Sequence, residues 1–182
     1  MEFPKSMLDK CRKGDRKSQK AFYQFFAPTM YGVCLRYFPN PEIAKDILQD
    51  GFVKVFENLQ YIRRNGSLEG WIKRIIVNTA LDYHRRNDLT KNVNITEAHS
   101  VSSEATFDQN SDYSLLLSIV NSLPNQYRIV FNLYAIEGYS HASIAEHLGI
   151  SESTSKSNYC RAKAILRERI AELEKSDHYA IL

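Results

Sequence analysis

Residues 140–163 constrain this chain more than any other stretch. The run Ser140-His141-Ala142-Ser143-Ile144-Ala145-Glu146-His147-Leu148-Gly149-Ile150-Ser151 leads directly into a polar segment from Glu152 to Lys163. Ser140 has the side-chain oxygen that an N-cap uses to accept an orphan backbone N–H. Ile144, Ala145 and Leu148 recur at i, i+1 and i+4 and so share one inward helix face. Gly149 stands where the chain must leave that helix in a left-handed conformation. Ser151 can cap a second helix, with Glu152 near its positive end. A short helix, one left-handed turn and a second helix make a helix-turn-helix, a unit whose second helix can enter a DNA major groove.

The second helix separates this unit from an ordinary helical hairpin. Its first turns read Ser153, Thr154, Ser155, Lys156, Ser157, Asn158, Tyr159, Cys160 and Arg161. A purely structural helix carries a wider apolar stripe. Short polar and basic side chains instead offer hydrogen bonds to base edges and phosphates.

At 182 residues the chain is long enough for one large or two small domains, and 43% apolar content is enough for compact cores. No apolar run approaches the roughly 20 residues of a membrane span, and Met1-Glu2-Phe3-Pro4-Lys5 has no signal-peptide form. A cytoplasmic location without membrane insertion is expected. Cys11, Cys34 and Cys160 show neither CxxC pairing nor metal spacing, so reduced thiols are expected. No cofactor is implied.

The net charge of +3 is unevenly distributed. Residues 1–88 hold 16 Lys and Arg against 10 Asp and Glu; residues 113–182 hold 7 of each. The positive surplus therefore lies away from the helix-turn-helix, which suggests a second nucleic-acid surface in the N-terminal half.

Apolar spacing predicts helices almost throughout. Ile43, Ile47, Leu48, Val55, Phe56 and Leu59 fit a helix over 41–60, bounded in front by Pro39 and Pro41. A second helix fits 67–86. Asp112 is expected to cap a helix from Tyr113 to about Ser122, and Pro124 to open the next, which runs to Gly138. No stretch alternates with the period of two that a strand requires. Residues 89–111 are polar, serine-rich and aperiodic, the character of a linker. The expected fold is all-α: two small helical domains, 1–88 and 112–182, joined by a flexible linker over 89–111.

The 67–86 helix shows two faces at about 100° per residue. Leu68, Ile72, Ile75, Thr79 and Tyr83 make the expected core face; Trp71, Arg74, Asn78 and Arg85 form a separate stripe. An aromatic ring, two guanidiniums and an amide suit single-stranded DNA, because bases stack on rings and arginines hold phosphates. The preceding segment from Tyr61 to Ser67 contains Arg63, Arg64, Asn65 and Gly66, a basic loop suited to an unstacked base. On the 41–60 helix, Asp46, Gln49 and Asp50 lie at i, i+3 and i+4. Carboxylates so placed suit a basic partner, whose arginines they accept as forked hydrogen bonds.

These stretches resemble a known family. Residues 44–56, from Ala44-Lys45-Asp46-Ile47-Leu48-Gln49-Asp50 to Phe56, look like conserved region 2 of sigma-70-type factors, and Ser67 to Arg86 looks like its promoter-melting part. Leu123-Pro124 onward, with the helix-turn-helix, resembles region 4. Two domains and a linker match the small extracytoplasmic-function subgroup. The resemblance implies a dissociable initiation subunit of bacterial RNA polymerase. Asp46, Gln49 and Asp50 would bind the clamp helices of the core enzyme. Arg63, Arg64, Asn65, Trp71, Arg74, Asn78 and Arg85 would hold the opened −10 element, and region 4 would dock on the flap. Ser153, Thr154, Lys156, Ser157, Asn158 and Arg161 would read the −35 duplex. The linker would pass toward the RNA exit path, and an anti-sigma protein is an expected partner. Family members often carry Glu at Ser143, Val at Ser155 and Arg at Asn158. An amide at Asn158 favours adenine edges, so a distinct promoter preference is expected there.

A two-domain helix-turn-helix regulator acting without polymerase is the alternative, but it leaves the Trp71 stripe and the acidic face unused. A recombinase-type enzyme needs a nucleophile backed by arginines on a mixed sheet, whereas Ser6 and Ser18 sit in plain helical surroundings. The five histidines lack metal-ligand spacing.

Overall fold

The computed structural model describes residues 3–62, 67–91 and 111–179, with side-chain surroundings given for fewer residues at the edges of these ranges. Among the described residues every regular element is helical. The chain divides into two compact units, Met1–Ser103 and Glu104–Leu182.

The first unit contains α1 (Lys5–Arg12), α2 (Arg16–Tyr37), α3 (Pro41–Asn58), a 3-10 turn (Leu59–Tyr61) and α4 (Leu68–Lys91). Local chemistry sets the starts. The Asp15 carboxylate accepts the Ser18 N–H at 2.8 Å and caps α2. Asn40 caps α3, taking the N–H groups of Glu42 and Ile43, and Pro41 occupies the first helical position, where its missing N–H is no loss. Phe22, Met30, Tyr37, Ile47, Leu59, Ile72, Ile76 and Leu81 are fully enclosed and make the core. At Gly51 on α3 the backbone comes so close to Ile76 that a Cβ there would overlap the Ile76 Cδ1.

The second unit contains α5 (Ser111–Asn121), α6 (Asn125–Phe131), a π-helical turn (Asn132–Ile136), α7 (His141–Leu148) and α8 (Glu152–Tyr179). Leu123, Ile129, Leu133 and Ile144 are fully enclosed; Ile119, Ala162 and Leu166 close the side toward α8. Arg128 is buried and ties down the α5–α6 connection: its Nη1 donates to the carbonyls of Leu123 (3.0 Å) and Asn121 (3.3 Å), and its Nη2 to Asn125 Oδ1 (2.9 Å). Burial lowers its pKa to about 10.

Several boundaries differ from the sequence expectation. Helix α4 continues to Lys91, three residues into the expected linker. Helix α5 starts at Ser111, one residue before Asp112. The helix after Pro124 does not run evenly to Gly138. Its last turn widens, with the Glu137 N–H bonding the Asn132 carbonyl at 2.9 Å and the Tyr139 N–H the Leu133 carbonyl at 2.9 Å. Residues 92–110 lie outside the described residues.

Candidate nucleic-acid interface

The helix-turn-helix forms as its sequence dictates. Ser140 Oγ accepts the Ser143 N–H at 3.2 Å and starts α7. Gly149 ends it at φ +66°, a left-handed conformation that costs other residues strain. Ser151 Oγ accepts the Thr154 N–H at 3.0 Å and starts α8. Ile144 is fully buried, and Ala145 and Leu148 are partly buried beside it.

Helix α8 then divides its polar residues between two faces. Ser153, Thr154, Lys156, Ser157 and Arg161 are exposed. Lys156 pairs with Glu152 at 2.6 Å, and Arg161 Nη1 donates to Tyr127 Oη at 3.3 Å. Asn158 does not belong with them. It is 5% exposed and lies on the inner face, three residues beyond Ser155, which is wholly buried. An enclosed amide cannot reach a base edge, so the expected role of Asn158 as a reader of adenine is corrected to one inside the unit. Polarity alone could not separate it from its exposed neighbours.

Ser155 has a specific inner partner. Its Oγ lies 2.9 Å from His141 Nδ1 at the start of α7, so one hydrogen bond joins the two helices of the motif. The His141 ring stacks on Tyr134 of the π turn with centroids 4.2 Å apart and planes 12° from parallel. Burial lowers the His141 pKa; Lys156 adds to the shift and Glu152 opposes it. Tyr159 packs against Tyr134 at 4.6 Å and carries Lys163 Nζ 4.8 Å from its ring centroid.

In the first unit, Asp46, Gln49 and Asp50 are all exposed on α3, with Val53 (56% exposed) continuing the row. The α4 stripe faces outward. Arg74 and Arg85 are exposed, and Trp71 and Asn78 are half-buried. The Asn78 Oδ1 is enclosed without a hydrogen-bond partner among the described residues. The buried arc of α4 is wider than expected and turned by about a quarter turn. It keeps Ile72 and Thr79 of the expected face and extends across Ile76, Val77, Ala80, Leu81 and His84, while Ile75 and Tyr83 are half-buried. Helices α2 and α3 both pack on α4, so two partners cover more of its circumference than one apolar stripe predicts.

One carboxylate in the stripe was not anticipated. Asp82 binds Arg85 Nη2 at 2.6 Å and Lys54 Nζ of α3 at 3.1 Å. Its burial raises the carboxyl pKa, but hydrogen bonds and charge from Lys54 and Arg85 outweigh that and hold it below the usual range. Arg85 is therefore oriented by a counterion, a pairing readable from the i, i+3 spacing of Asp82 and Arg85. Arg63, Arg64 and Asn65 lie outside the described residues.

The described residues contain no group of three or more His, Cys, Asp or Glu placed to hold a metal ion. No described helix is long and apolar enough to cross a membrane. Cys11 and Cys34 are buried and Cys160 is exposed, all as free thiols. Burial pushes the Cys34 thiol up to about 12.

Residues 22–90 match the family model for sigma-70 region 2, and residues 113–175 match that for sigma-70 region 4. The ECF RNA polymerase sigma factor SigW of Bacillus subtilis (strain 168) is 24% identical over 182 residues, covering 93% of this chain and 97% of its own. The ECF RNA polymerase sigma-E factor of Escherichia coli (strain K12) is 24% identical over 180 residues, covering 92% of this chain and 94% of its own. Among solved structures, the sigma factor RpoE in complex with the anti-sigma factor NepR from Bartonella quintana shares the fold. Its TM-score is 0.53 at 19% identity, covering 84% of this chain and 96% of that one.

Proposed function

The chain belongs to the extracytoplasmic-function group of the sigma-70 family, and we propose that its two helical units divide promoter recognition between opened strand and duplex. The observation that carries this is the order of the two regions, 2 at residues 22–90 and 4 at 113–175, together with relatives matched over nearly their whole length. The exposed row Asp46, Gln49 and Asp50 on α3 binds the clamp helices of core polymerase. Exposed carboxylates are open to forked arginine contacts, and Val53 adds apolar area beside them.

The α4 stripe holds the opened −10 strand. Trp71 offers a ring for a base, Arg74 and Arg85 reach phosphates, and half-buried Asn78, whose Oδ1 is enclosed, lies on the same stripe. Arg63, Arg64 and Asn65 are assigned to the same strand on sequence alone. Region 4 docks on the flap and reads the −35 duplex through Ser153, Thr154, Lys156, Ser157 and Arg161, with Asn158 supporting that face from within. Residues 113–182 carry as many acidic as basic side chains, so the DNA affinity of this region alone is weak, and polymerase supplies the position.

We assign residues 1–88 to the first domain, 89–111 to the linker and 112–182 to the second. The chain works in the cytoplasm, where its polymerase is. An anti-sigma protein fits as a partner, since the similar Bartonella quintana factor was solved with one. Capture of core polymerase by the tagged full chain tests the reading. Association with core that drops at least tenfold in Asp50→Arg, at unchanged thermal stability, supports it; a chain that does not retain core overturns it.

A further inference from the structure

The basic surplus of the N-terminal half is not explained by the α4 stripe. Residues 1–20 hold seven Lys and Arg against three Asp and Glu, more of the surplus than the rest of the unit. We propose that the elbow between α1 and α2 is a second DNA surface, which grips the phosphate backbone of the promoter beside the melting site.

The elbow is tight. Lys13 ends α1, Gly14 turns with φ +81°, and the Asp15 N–H bonds the Lys10 carbonyl at 3.1 Å. The last turn of α1 and the first turns of α2 are thereby brought together. Lys10, Lys13, Arg16, Lys17 and Lys20 are all exposed there. None lies within ion-pair distance of a carboxylate among the described residues, whereas Lys45, Lys54, Arg85, Lys156 and Arg169 are all paired.

Helix stability accounts for only part of the cluster. Lys10 and Arg12 lie in the last turn of α1, where the helix dipole favours cations. Arg16 and Lys17 lie in the first turn of α2, where the dipole opposes them and no acidic residue follows the cap. Lys20 is i+4 from Arg16 and i+3 from Lys17, so like charges repel along one face. The Asp15 cap attracts Lys10 and Lys17, but a single carboxylate does not balance the five cations; an anionic ligand does.

The surroundings point to a phosphate chain. Helix α1 rests on the 3-10 turn Leu59–Tyr61, and Arg12 Nε donates to the Leu59 carbonyl at 3.3 Å. That turn leads straight into the segment assigned above to the opened strand. A protein-docking surface has an apolar centre, and none of the large exposed apolar residues falls between Pro4 and Ala21. Spread, exposed cations without a large exposed apolar residue among them suit a repeating line of phosphates.

The inference rests on the sigma-factor reading, and the test separates the two. Lys13→Gln, Arg16→Gln, Lys17→Gln and Lys20→Gln are combined in the full chain. Promoter binding with core polymerase is measured against salt concentration, and core binding is measured separately without DNA. At roughly 0.9 released counterions per duplex phosphate contact, the slope of log K against log salt falls by about 3 to 4. Base preference at the −10 and −35 elements and affinity for core stay unchanged, and Trp71 fluorescence melting shows the unit folded. A slope equal to wild type overturns the surface. Weaker binding to core without DNA also overturns it, by making the elbow a protein contact. A wild-type chain that forms no promoter complex overturns the sigma-factor reading and the surface with it.

Discussion

Replacing Gly51 by alanine sets a methyl group onto the Ile76 Cδ1, with the Ile76 Cγ1 at 3.6 Å and its Cα at 3.7 Å behind it. Ile76 is fully enclosed, so its side chain has no open space to move into. Overpacking of this kind costs about 1–3 kcal/mol. Alanine regains about 1 kcal/mol of helix propensity over glycine, which leaves a net loss of about 0–2 kcal/mol by the same figures. Ile76→Val deletes the clashing methyl and alone costs about 0.5–1.5 kcal/mol. In the double variant the clash is gone while the propensity gain remains. The double variant is therefore more stable than the sum of the singles by about 1–3 kcal/mol. Urea denaturation followed by Trp71 fluorescence is the assay, because Trp71 is the chain's one tryptophan and sits on α4, so it reports this unit. Additivity of the two changes within about 0.5 kcal/mol refutes the reasoning, since it means α3 and α4 separate freely and Gly51 does not set their spacing.

Ser155→Val removes the hydroxyl from His141 Nδ1 and lowers the melting of the second unit by about 1–2 kcal/mol equivalent, seen by circular dichroism; Ser155→Thr keeps the bond and most of the stability. A valine variant as stable as wild type contradicts the hydrogen-bonded link between α7 and α8. Asn158→Ala destabilises the same unit and leaves −35 base preference as it was, while Ser157→Ala changes preference; selection from a randomised −35 library reads both. Altered preference at full stability for Asn158→Ala returns that residue to the groove. Asp82 has a lowered pKa in the folded chain, so its contribution is fully present above its unfolded value of about 4 and is lost as pH falls through the folded value. The stability difference between wild type and Asp82→Asn is thus constant above about pH 5 and shrinks toward zero in acid, within about 1 kcal/mol for so exposed a pair. A difference that grows in acid contradicts the sign.

The parts of the fold legible in the sequence are those decided locally. Ser140, Gly149 and Ser151 carry their own capping and turn chemistry, so the helix-turn-helix could be read residue by residue. What escaped depends on partners distant in the chain. The buried arc of α4 follows from two helices packing on it, so a single apolar stripe placed its centre wrongly. Ser155 and Asn158 are polar yet enclosed, because His141 across the turn gives Ser155 a partner; periodicity treats every polar residue as outward. The π turn at Asn132–Ile136 left no mark in the apolar spacing, yet it carries Tyr134, whose ring stacks on His141. The acidic row on α3 and the aromatic–basic stripe on α4 were legible as patterns, since helix packing leaves Asp46, Gln49, Asp50, Arg74 and Arg85 in solvent. The counterion role of Asp82 was only half legible, because one of its two cations, Lys54, comes from another helix.

On the function proposed above, this chain directs core polymerase to a promoter and holds open its −10 strand. Permanganate footprinting of a promoter recovered from in vitro selection tests that most directly, since unpaired thymines react and paired ones do not. Reactive thymines clustered at the −10 element only when core and chain are both present are the predicted result. Thymines that stay unreactive in the full mixture, or that react equally with core alone, contradict it.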